Sequence, residues 1–332
     1  MSEDSAITWS CRPWNALERR MNRLQITTKI GCRIACTYCP QDRFIKAYRD
    51  RSSNLLMSLD DFQLYTERIP PEVEIWFAGM CEPWLNPECT EMILYAHKKG
   101  HAICVFTTLV GMNVSDIDLL ESVPFGFFRI HLPSDSGREN VRTTDNYLNV
   151  LDTISRSNIS VIFHCHGRRL NSEVKSVLDS HRKAIHFGHT YQRSGNIRLS
   201  DRLNLPRRRG AIACRRDLRN NVLLPNGDVL LCSHDYDMKH VLGNMTSSSY
   251  DSFFEGNEFL KVRKGLKDES VDILCRHCGQ FGYNVDRFAR LYNFPYLLDK
   301  CFCHLKGVRG YSDLRLFLQR VFDKSKTPGE ER

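Results

Sequence analysis

Short apolar segments alternate with segments of helical periodicity along the first part of the chain. The apolar segments are rich in β-branched and aromatic residues and predict strands at residues 24–30, 73–79, 101–108, 126–132, 160–165 and 184–189. Helices are predicted between them, at residues 59–69, 87–99, 114–122, 138–156 and 172–180. Such alternation indicates an α/β fold with a parallel sheet covered by helices. We therefore predict a partial (βα)6 TIM-like barrel over residues 24–194, with functional residues at the strand ends.

The pattern changes after residue 194. Two apolar runs, 222–224 and 228–232, flank a Pro-Asn-Gly turn and predict a β-hairpin, and a helical segment follows at 250–266. We predict a small Cys-rich α+β domain over residues 195–305. Residues 1–23 would then form an N-terminal extension, and residues 306–332 a C-terminal helix and polar tail.

Composition is that of an ordinary folded protein apart from its cysteines. Of 332 residues, 42% are hydrophobic and 26% charged, and the net charge is +8. No apolar run is long enough to span a membrane, and the N-terminus lacks the features of a secretory signal. We therefore expect a cytoplasmic protein without a membrane partner. Because the cytoplasm keeps thiols reduced, the 14 cysteines indicate metal ligation rather than disulfides.

Three cysteines share one short loop after the first predicted strand. Cys32, Cys36 and Cys39 have the spacing C-x3-C-x2-C. Three thiolates can hold three irons of a [4Fe–4S] cluster and leave the fourth iron open to another ligand. A structural zinc site needs four ligands, and this loop supplies three. The spacing therefore favours the iron–sulfur cluster over zinc.

The sequence GCRIACTYCP at residues 31–40 resembles the cluster-binding loop of the radical S-adenosylmethionine (SAM) superfamily. The resemblance implies a [4Fe–4S] cluster that binds SAM and cleaves it reductively to a 5′-deoxyadenosyl radical, which then abstracts a hydrogen atom from a substrate. It also implies that Tyr38 lies near the adenine. The segment FAGMCEP at residues 77–83 is similar to the glycine-rich segment of that superfamily, where Gly79 and Glu82 would hold the methionine amino group.

Weaker matches fall at later strand ends. By the same resemblance, Ser134 and Asp135 would bind the ribose hydroxyls, Thr108 would line the pocket, and Arg168 would pair with the methionine carboxylate. Each also has an ordinary structural interpretation, as a polar strand end or an exposed arginine at a helix start.

Four further cysteines form a second group. Cys214, Cys232, Cys275 and Cys278 can saturate an auxiliary [4Fe–4S] cluster or hold one zinc, and spacing alone leaves both open. Residues 194–278 resemble the SPASM extension of radical SAM enzymes, or its shorter Twitch form. Asn284 and Phe288 stand where a full SPASM domain continues with cysteines. The resemblance therefore implies one auxiliary cluster, leaves the role of Cys301 and Cys303 open, and gives a layout similar to that of 2-deoxy-scyllo-inosamine dehydrogenases.

Candidate catalytic residues follow from position. Cys165 lies in a predicted strand. It is either a small hydrophobic residue packed in the core or a thiol inside the barrel that donates a hydrogen atom to a substrate radical. Asp235 and Tyr236 follow Cys232 and face the active site in one interpretation, with Asp235 as a proton acceptor. In the alternative, Asp235 only fixes the hairpin.

The resemblance implies oxidation of a substrate radical through the auxiliary cluster. Two enzymatic alternatives are redox-neutral epimerisation of a sugar-like small molecule, with Cys165 as hydrogen donor, and maturation of a peptide or protein. Only 31 residues precede Cys32, so we expect no N-terminal peptide-recognition domain. A zinc-bound interaction protein without catalysis ranks last.

Arginines crowd the region around Pro206. They would form a solvated face or steer an acidic electron donor such as flavodoxin or ferredoxin. Nucleic acid is the least favoured partner, because aromatic residues are not interleaved with the basic ones.

Overall fold

The computed structural model describes residues 22–188, 194, 196, 207–214, 216–278 and the backbone of 281–282. Predictions for the N-terminal extension, for Cys301 and Cys303, and for the C-terminal helix and tail lie outside the described residues. No helix among the described residues is long and apolar enough to cross a membrane.

Strands and helices alternate as predicted in the first part of the chain. The strands are β1 Arg23–Ile26, β2 Glu74–Phe77, β3 Ile103–Thr107, β4 Phe125–Leu132, β5 Val161–Cys165, β6 Ile185–Phe187, β7 Ala213–Cys214, β8 Asn220–Leu223, β9 Asp228–Leu230, β10 Val241–Asn244 and β11 Phe281–Gly282. The helices are α1 Gln41–Arg49, α2 Leu59–Thr66, α3 Cys89–Lys98, α4 Val114–Leu120, α5 Asp145–Arg156, α6 Ser172–Ser180 and α7 Asn257–Lys267.

Within the described ranges, nine strands form one sheet in the order β10-β9-β8-β1-β2-β3-β4-β5-β6. Neighbours from β1 to β6 pair in parallel, with helices in the connections. This arrangement confirms the predicted partial barrel.

One face of the barrel strands packs under the helices. Along β4, Phe128, Ile130 and Leu132 are fully buried, whereas the alternate residues Arg129 and His131 are half-buried. Since strand side chains alternate between faces, the first set belongs to the core and the second to the inner wall of the barrel. The inner wall thus carries the polar side chains that can serve a site.

The predicted hairpin forms, and it extends the barrel sheet. Strand β8 pairs in parallel with β1, with Gln25 opposite Val222, and β9 pairs antiparallel with β8. The two parts of the chain therefore share one sheet. The division at residues 194 and 195 stays a prediction, because the segment between β6 and β7 is described only in part.

Two predicted boundaries were wrong, and one helix was not predicted. Helix α1 was not predicted; it begins at Gln41, directly after the cysteine loop, with Pro40 at the N-cap position. The predicted strand 24–30 ends at Ile26, after which Lys29 forms only an isolated bridge with Leu56. The predicted helix 138–156 begins at Asp145, because the side chain of Thr144 accepts a hydrogen bond from the Tyr147 amide and caps the helix there.

Candidate active site

A cavity of about 240 Å³ lies at the carboxyl ends of the barrel strands. Its wall includes the side chains of Cys32, Cys36 and Cys39 from the loop between β1 and α1. It also includes the turn after β2, the end of β3, and single residues from β4 and from the segment after β5. The structure therefore gathers the first cysteine group where parallel barrels place their chemistry.

Backbone contacts fix the cysteine loop. Gly31 has φ +87° and Ala35 has φ +48°, which reverse the chain after β1. The Thr37 amide donates to the carbonyl of Arg138 at 2.9 Å, and the Cys36 thiol donates to the carbonyl of Glu139 at 3.4 Å. The turns of its own backbone and its hydrogen bonds to the segment before α5 thus fix the conformation of the loop.

A fourth thiol, Cys81, lies on the wall of the same cavity. It donates a hydrogen bond to the Cys32 sulfur, and this is the main reason that the pKa of Cys32 falls to about 6. Burial instead raises the pKa of Cys36 to about 12. Cluster binding requires all three loop cysteines as thiolates, so it must release a proton from Cys36. The sequence analysis assigned no role to Cys81.

The turn after β2 is packed against the end of β1. Gly79 has φ +66°, and a Cβ atom there would lie 2.4 Å from the hydroxyl oxygen of Thr27. That hydroxyl accepts a hydrogen bond from the Met80 amide at 3.0 Å. Only glycine fits this close approach, which holds the turn and Glu82 at the cavity.

Glu82 lies on the cavity wall and is 5% exposed. Its carboxylate accepts hydrogen bonds from the Thr107 hydroxyl at 2.6 Å and from the amide and hydroxyl of Thr108 at 2.6 and 2.7 Å. Burial raises the pKa of Glu82 to about 7, although these donors act in the opposite direction. The predicted residues Gly79, Glu82 and Thr108 thus form one connected wall.

Tyr38 also lines the cavity, and its ring meets that of His166 edge-on at 5.6 Å between centroids. The guanidinium of Arg138 lies 5.8 Å from the centre of the Tyr38 ring. The rings and charges around Tyr38 therefore fix its position on the cavity wall.

Three predicted binding residues do not line this cavity as the described residues form it. Ser134 is buried and donates from its amide and its hydroxyl to the Glu139 carboxylate. Asp135 forms an ion pair with Arg169 at 2.9 Å. Arg168 is exposed. Their contacts with SAM stay predictions.

The structure places Cys165 away from the cavity. Its thiol is fully buried in the core beside Leu132 and Leu170, on the face of β5 that packs under the helices. The prediction of a hydrogen-donating thiol inside the barrel is therefore wrong, because strand parity turns this side chain outward from the barrel interior. The alternative, a packed small hydrophobe, agrees with the structure.

Asp235 also lies outside the cavity wall. It is 1% exposed, and its carboxylate accepts hydrogen bonds from the amides of Lys239 and His240 at 3.0 and 2.7 Å. Burial raises the pKa of Asp235. These contacts agree with the alternative in which Asp235 fixes the loop. Its neighbour Tyr236 does line the cavity, and its catalytic role stays a prediction.

Histidines on the inner wall are functional candidates that the sequence analysis missed. His131 and His166 line the cavity, with ring centroids 4.9 Å apart. His164 lies 4.7 Å from His166, and burial lowers the pKa of His164 to about 4. The alternation of polar with apolar residues along β4 and β5 was the signal for this face.

The second cysteine group lines a second cavity. Its wall includes the four predicted ligands, Cys214, Cys232, Cys275 and Cys278. The neighbouring Arg276 is fully buried and donates to the carbonyls of Arg208, Gly210 and Gly265. Four thiols around one cavity are suited to a thiolate-bound cluster, and Arg276 ties together the backbone segments next to it.

One hydrogen bond joins the two cavity walls. Gln25 lines the first cavity, and its side-chain amide donates to the side chain of Asn220, which lines the second, at 3.0 Å. The two residues belong to the paired strands β1 and β8. The two cavities therefore adjoin at the β1–β8 strand pair.

Two protein-family profiles match the parts of the chain that contain the two cysteine groups. A profile described as the radical SAM superfamily matches residues 26–180. The chain thus contains a radical SAM domain over residues 26–180. A second profile, SPASM, described as an iron–sulfur cluster-binding domain, matches residues 214–279. The chain therefore combines a domain that binds a [4Fe–4S] cluster and SAM with a domain that binds auxiliary iron–sulfur.

Solved structures share the fold at low sequence identity. BtrN in complex with AdoMet and 2-DOIA is 16% identical, with a TM-score of 0.50 over 78% of this chain and 93% of that one. Native anSMEcpe with bound AdoMet is 14% identical, with a TM-score of 0.51 over 83% of this chain and 98% of that one. Streptococcus suis SuiB bound to precursor peptide SuiA is 12% identical, with a TM-score of 0.52 over 73% of this chain and 66% of that one. No curated protein sequence matches the chain.

Proposed function

We propose that this radical SAM enzyme is an oxidoreductase: it abstracts a hydrogen atom from a substrate in the first cavity and delivers the second electron of the oxidation to one auxiliary [4Fe–4S] cluster. When bound, the first cluster supplies the electron that cleaves SAM to the 5′-deoxyadenosyl radical. Cys32, Cys36 and Cys39 would hold that cluster, and the four cysteines of the second cavity would hold the auxiliary one.

The adjacency of the two cavities is the observation that carries this proposal. The Gln25–Asn220 hydrogen bond connects the two walls directly. An electron acceptor in the adjoining cavity is well placed to oxidise a substrate radical in the first cavity. The hydrogen donor predicted for a redox-neutral epimerisation, Cys165, lies in the core.

Oxidation of a hydroxyl or amine carbon also releases a proton. The cavity wall offers the imidazoles of His131 and His166 for that step, in place of the predicted Asp235. A neutral imidazole accepts a proton readily near neutral pH. These histidines and the inner-wall Arg129 favour a polar, sugar-like or aminocyclitol-like small molecule as substrate.

Peptide modification is the second candidate function. Among the structures with a similar fold, SuiB is bound to a precursor peptide and anSMEcpe was solved with the Cp18Cys peptide. The same two-cluster arrangement can oxidise a peptide side chain. The substrate class therefore has to be tested directly.

The electron donor is proposed to be an acidic flavodoxin or ferredoxin. Arg207 and Arg209 are exposed, and Arg216 lines the second cavity. Exposed guanidinium groups steer an acidic partner. Reduction by such a donor should slow steeply as salt is raised.

The test compares substrate classes in one assay. The reconstituted enzyme is incubated anaerobically with SAM, reductant and either aminocyclitols and sugars or a peptide library. The proposal predicts that a small molecule stimulates 5′-deoxyadenosine formation and appears as a carbonyl or imine product. The Cys214→Ala/Cys275→Ala variant should still form 5′-deoxyadenosine while losing the oxidised product. A product with unchanged oxidation state, or turnover with peptides alone, would contradict the proposal.

A further inference from the structure

Gln41, the first residue of α1, lies on the wall of the first cavity and is 7% exposed. Its side-chain nitrogen donates to the carbonyl of Met80 at 2.6 Å and to the sulfur of Cys39 at 3.4 Å. A carbonyl oxygen can only accept a hydrogen bond, so the contact with Met80 fixes which end of the amide is nitrogen. The amide oxygen then points away from both partners.

That oxygen has no donor among the described residues. Gln41 Oε1 is buried, and no described protein group donates a hydrogen bond to it. Buried carbonyl oxygens in folded proteins are nearly always paired, because leaving one unpaired after its water is lost costs free energy. A buried acceptor on a cavity wall therefore indicates a donor on the ligand that fills the cavity.

The position of Gln41 identifies the donor. The residue bridges the cluster ligand Cys39 and the turn that carries Gly79 and Glu82. The superfamily binds SAM at its cluster, and the amino acid end of SAM carries an ammonium and a carboxylate. An ammonium only donates, whereas a carboxylate would oppose one acceptor with another. The ammonium is therefore the complementary group.

We infer that Gln41 Oε1 accepts a hydrogen bond from the α-ammonium group of SAM. The same amide, through its nitrogen, contacts Cys39 and Met80, so one side chain connects a cluster ligand, the glycine-rich turn and the bound cofactor. Gln41 is thus a cofactor-positioning residue. The inference rests on SAM binding alone and is independent of the proposed reaction.

The test is a comparison of two ligands on the cluster-loaded, oxidised enzyme. Gln41→Met keeps the length of the side chain and removes the acceptor. Dissociation constants are measured by anaerobic equilibrium dialysis for SAM and for 5′-methylthioadenosine, which lacks both ammonium and carboxylate. We expect the SAM constant to rise about tenfold or more, because a hydrogen bond to a charged group is lost. The constant for 5′-methylthioadenosine should stay within about twofold of its wild-type value.

Two further variants keep the inference falsifiable. Gln41→Glu retains an acceptor oxygen and should bind SAM more tightly than Gln41→Met. Gln41→Leu replaces Gln41→Met if the latter loses iron. SAM binding should also change the electron paramagnetic resonance spectrum of the reduced cluster in wild type at a lower SAM concentration than in Gln41→Met. Unchanged SAM affinity in Gln41→Met would show that water satisfies the oxygen, and equal loss for both ligands would show a general collapse of the wall. Either result overturns the inference.

Discussion

Gly79→Ala tests whether the glycine-rich turn depends on close contact with β1. Both the backbone and the space oppose an added Cβ. Gly79 has φ +66°, and the new carbon would lie 2.4 Å from the Thr27 hydroxyl oxygen and 3.0 Å from the carbonyl oxygen of Ile26. Gly137 is a matched control, because it has φ +65° and nothing within 4 Å of a new Cβ.

The difference between the two variants isolates the contact. Both pay about 1–2 kcal/mol for alanine in the left-handed region. Gly79→Ala also loses the hydrogen bond from the Met80 amide to Thr27, worth about 1 kcal/mol, and overpacks the turn by about 1–3 kcal/mol. We therefore expect Gly79→Ala to be less stable than Gly137→Ala by about 2–4 kcal/mol.

Anaerobic thermal unfolding measures this difference. At about 2–4 °C per kcal/mol, Gly79→Ala should melt about 5 °C or more below Gly137→Ala. It should also bind SAM more weakly than wild type, since the turn carries Glu82. Equal melting temperatures for the two variants would refute the close packing of Gly79 against Thr27.

Three further predictions concern buried groups. Burial raises the pKa of Glu82 to about 7, above its ordinary value. The stability that the protonated carboxyl contributes is therefore fully present below about pH 4.5 and is lost as the pH rises through about 7. Without SAM, the wild type should therefore lose up to about 3 kcal/mol relative to Glu82→Gln between about pH 5 and 8, and parallel melting profiles would contradict this. Cys165→Ala should lower stability by about 1–2 kcal/mol and leave both 5′-deoxyadenosine and product formation within about twofold, whereas loss of product with 5′-deoxyadenosine retained would restore a role as hydrogen donor. Arg276→Met should destabilise the second cavity by about 3–5 kcal/mol, measured as selective loss of auxiliary iron, because three carbonyls lose a buried charged donor; full iron retention would argue against that role.

The strand–helix alternation was predictable because apolar runs such as 73–79 and 126–132 mark buried strands without reference to the rest of the chain. Helix α1 was not predictable in the same way. It has only three buried residues, Gln41, Phe44 and Tyr48, and it starts immediately after a loop defined by its cysteines. Short amphipathic helices of this kind depend on tertiary packing.

In the site, too, local sequence patterns predicted some residues, whereas contacts between distant segments were not predictable. Cys32, Cys36 and Cys39 were identified from spacing, and Gly79 from a local motif. The contacts Cys81–Cys32, Gln41–Met80 and Gln25–Asn220 join segments distant in sequence, so no local pattern contains them. For Cys165 the sequence left two interpretations open, a packed hydrophobe and a thiol inside the barrel. Only the structure shows that it shares the buried side of β5 with Phe163.

Iron and sulfide quantitation tests the central claim of two separate cluster sites. The anaerobically reconstituted chain is compared with its Cys32→Ala/Cys36→Ala/Cys39→Ala variant and with Cys214→Ala/Cys232→Ala/Cys275→Ala/Cys278→Ala, while 5′-deoxyadenosine is measured under reductant. The account predicts about eight irons in the wild type and about four in each variant, with the nucleoside lost only in the first variant. About four irons in the wild type and none in the first variant would remove the auxiliary cluster, and no iron in the wild type would contradict the account altogether.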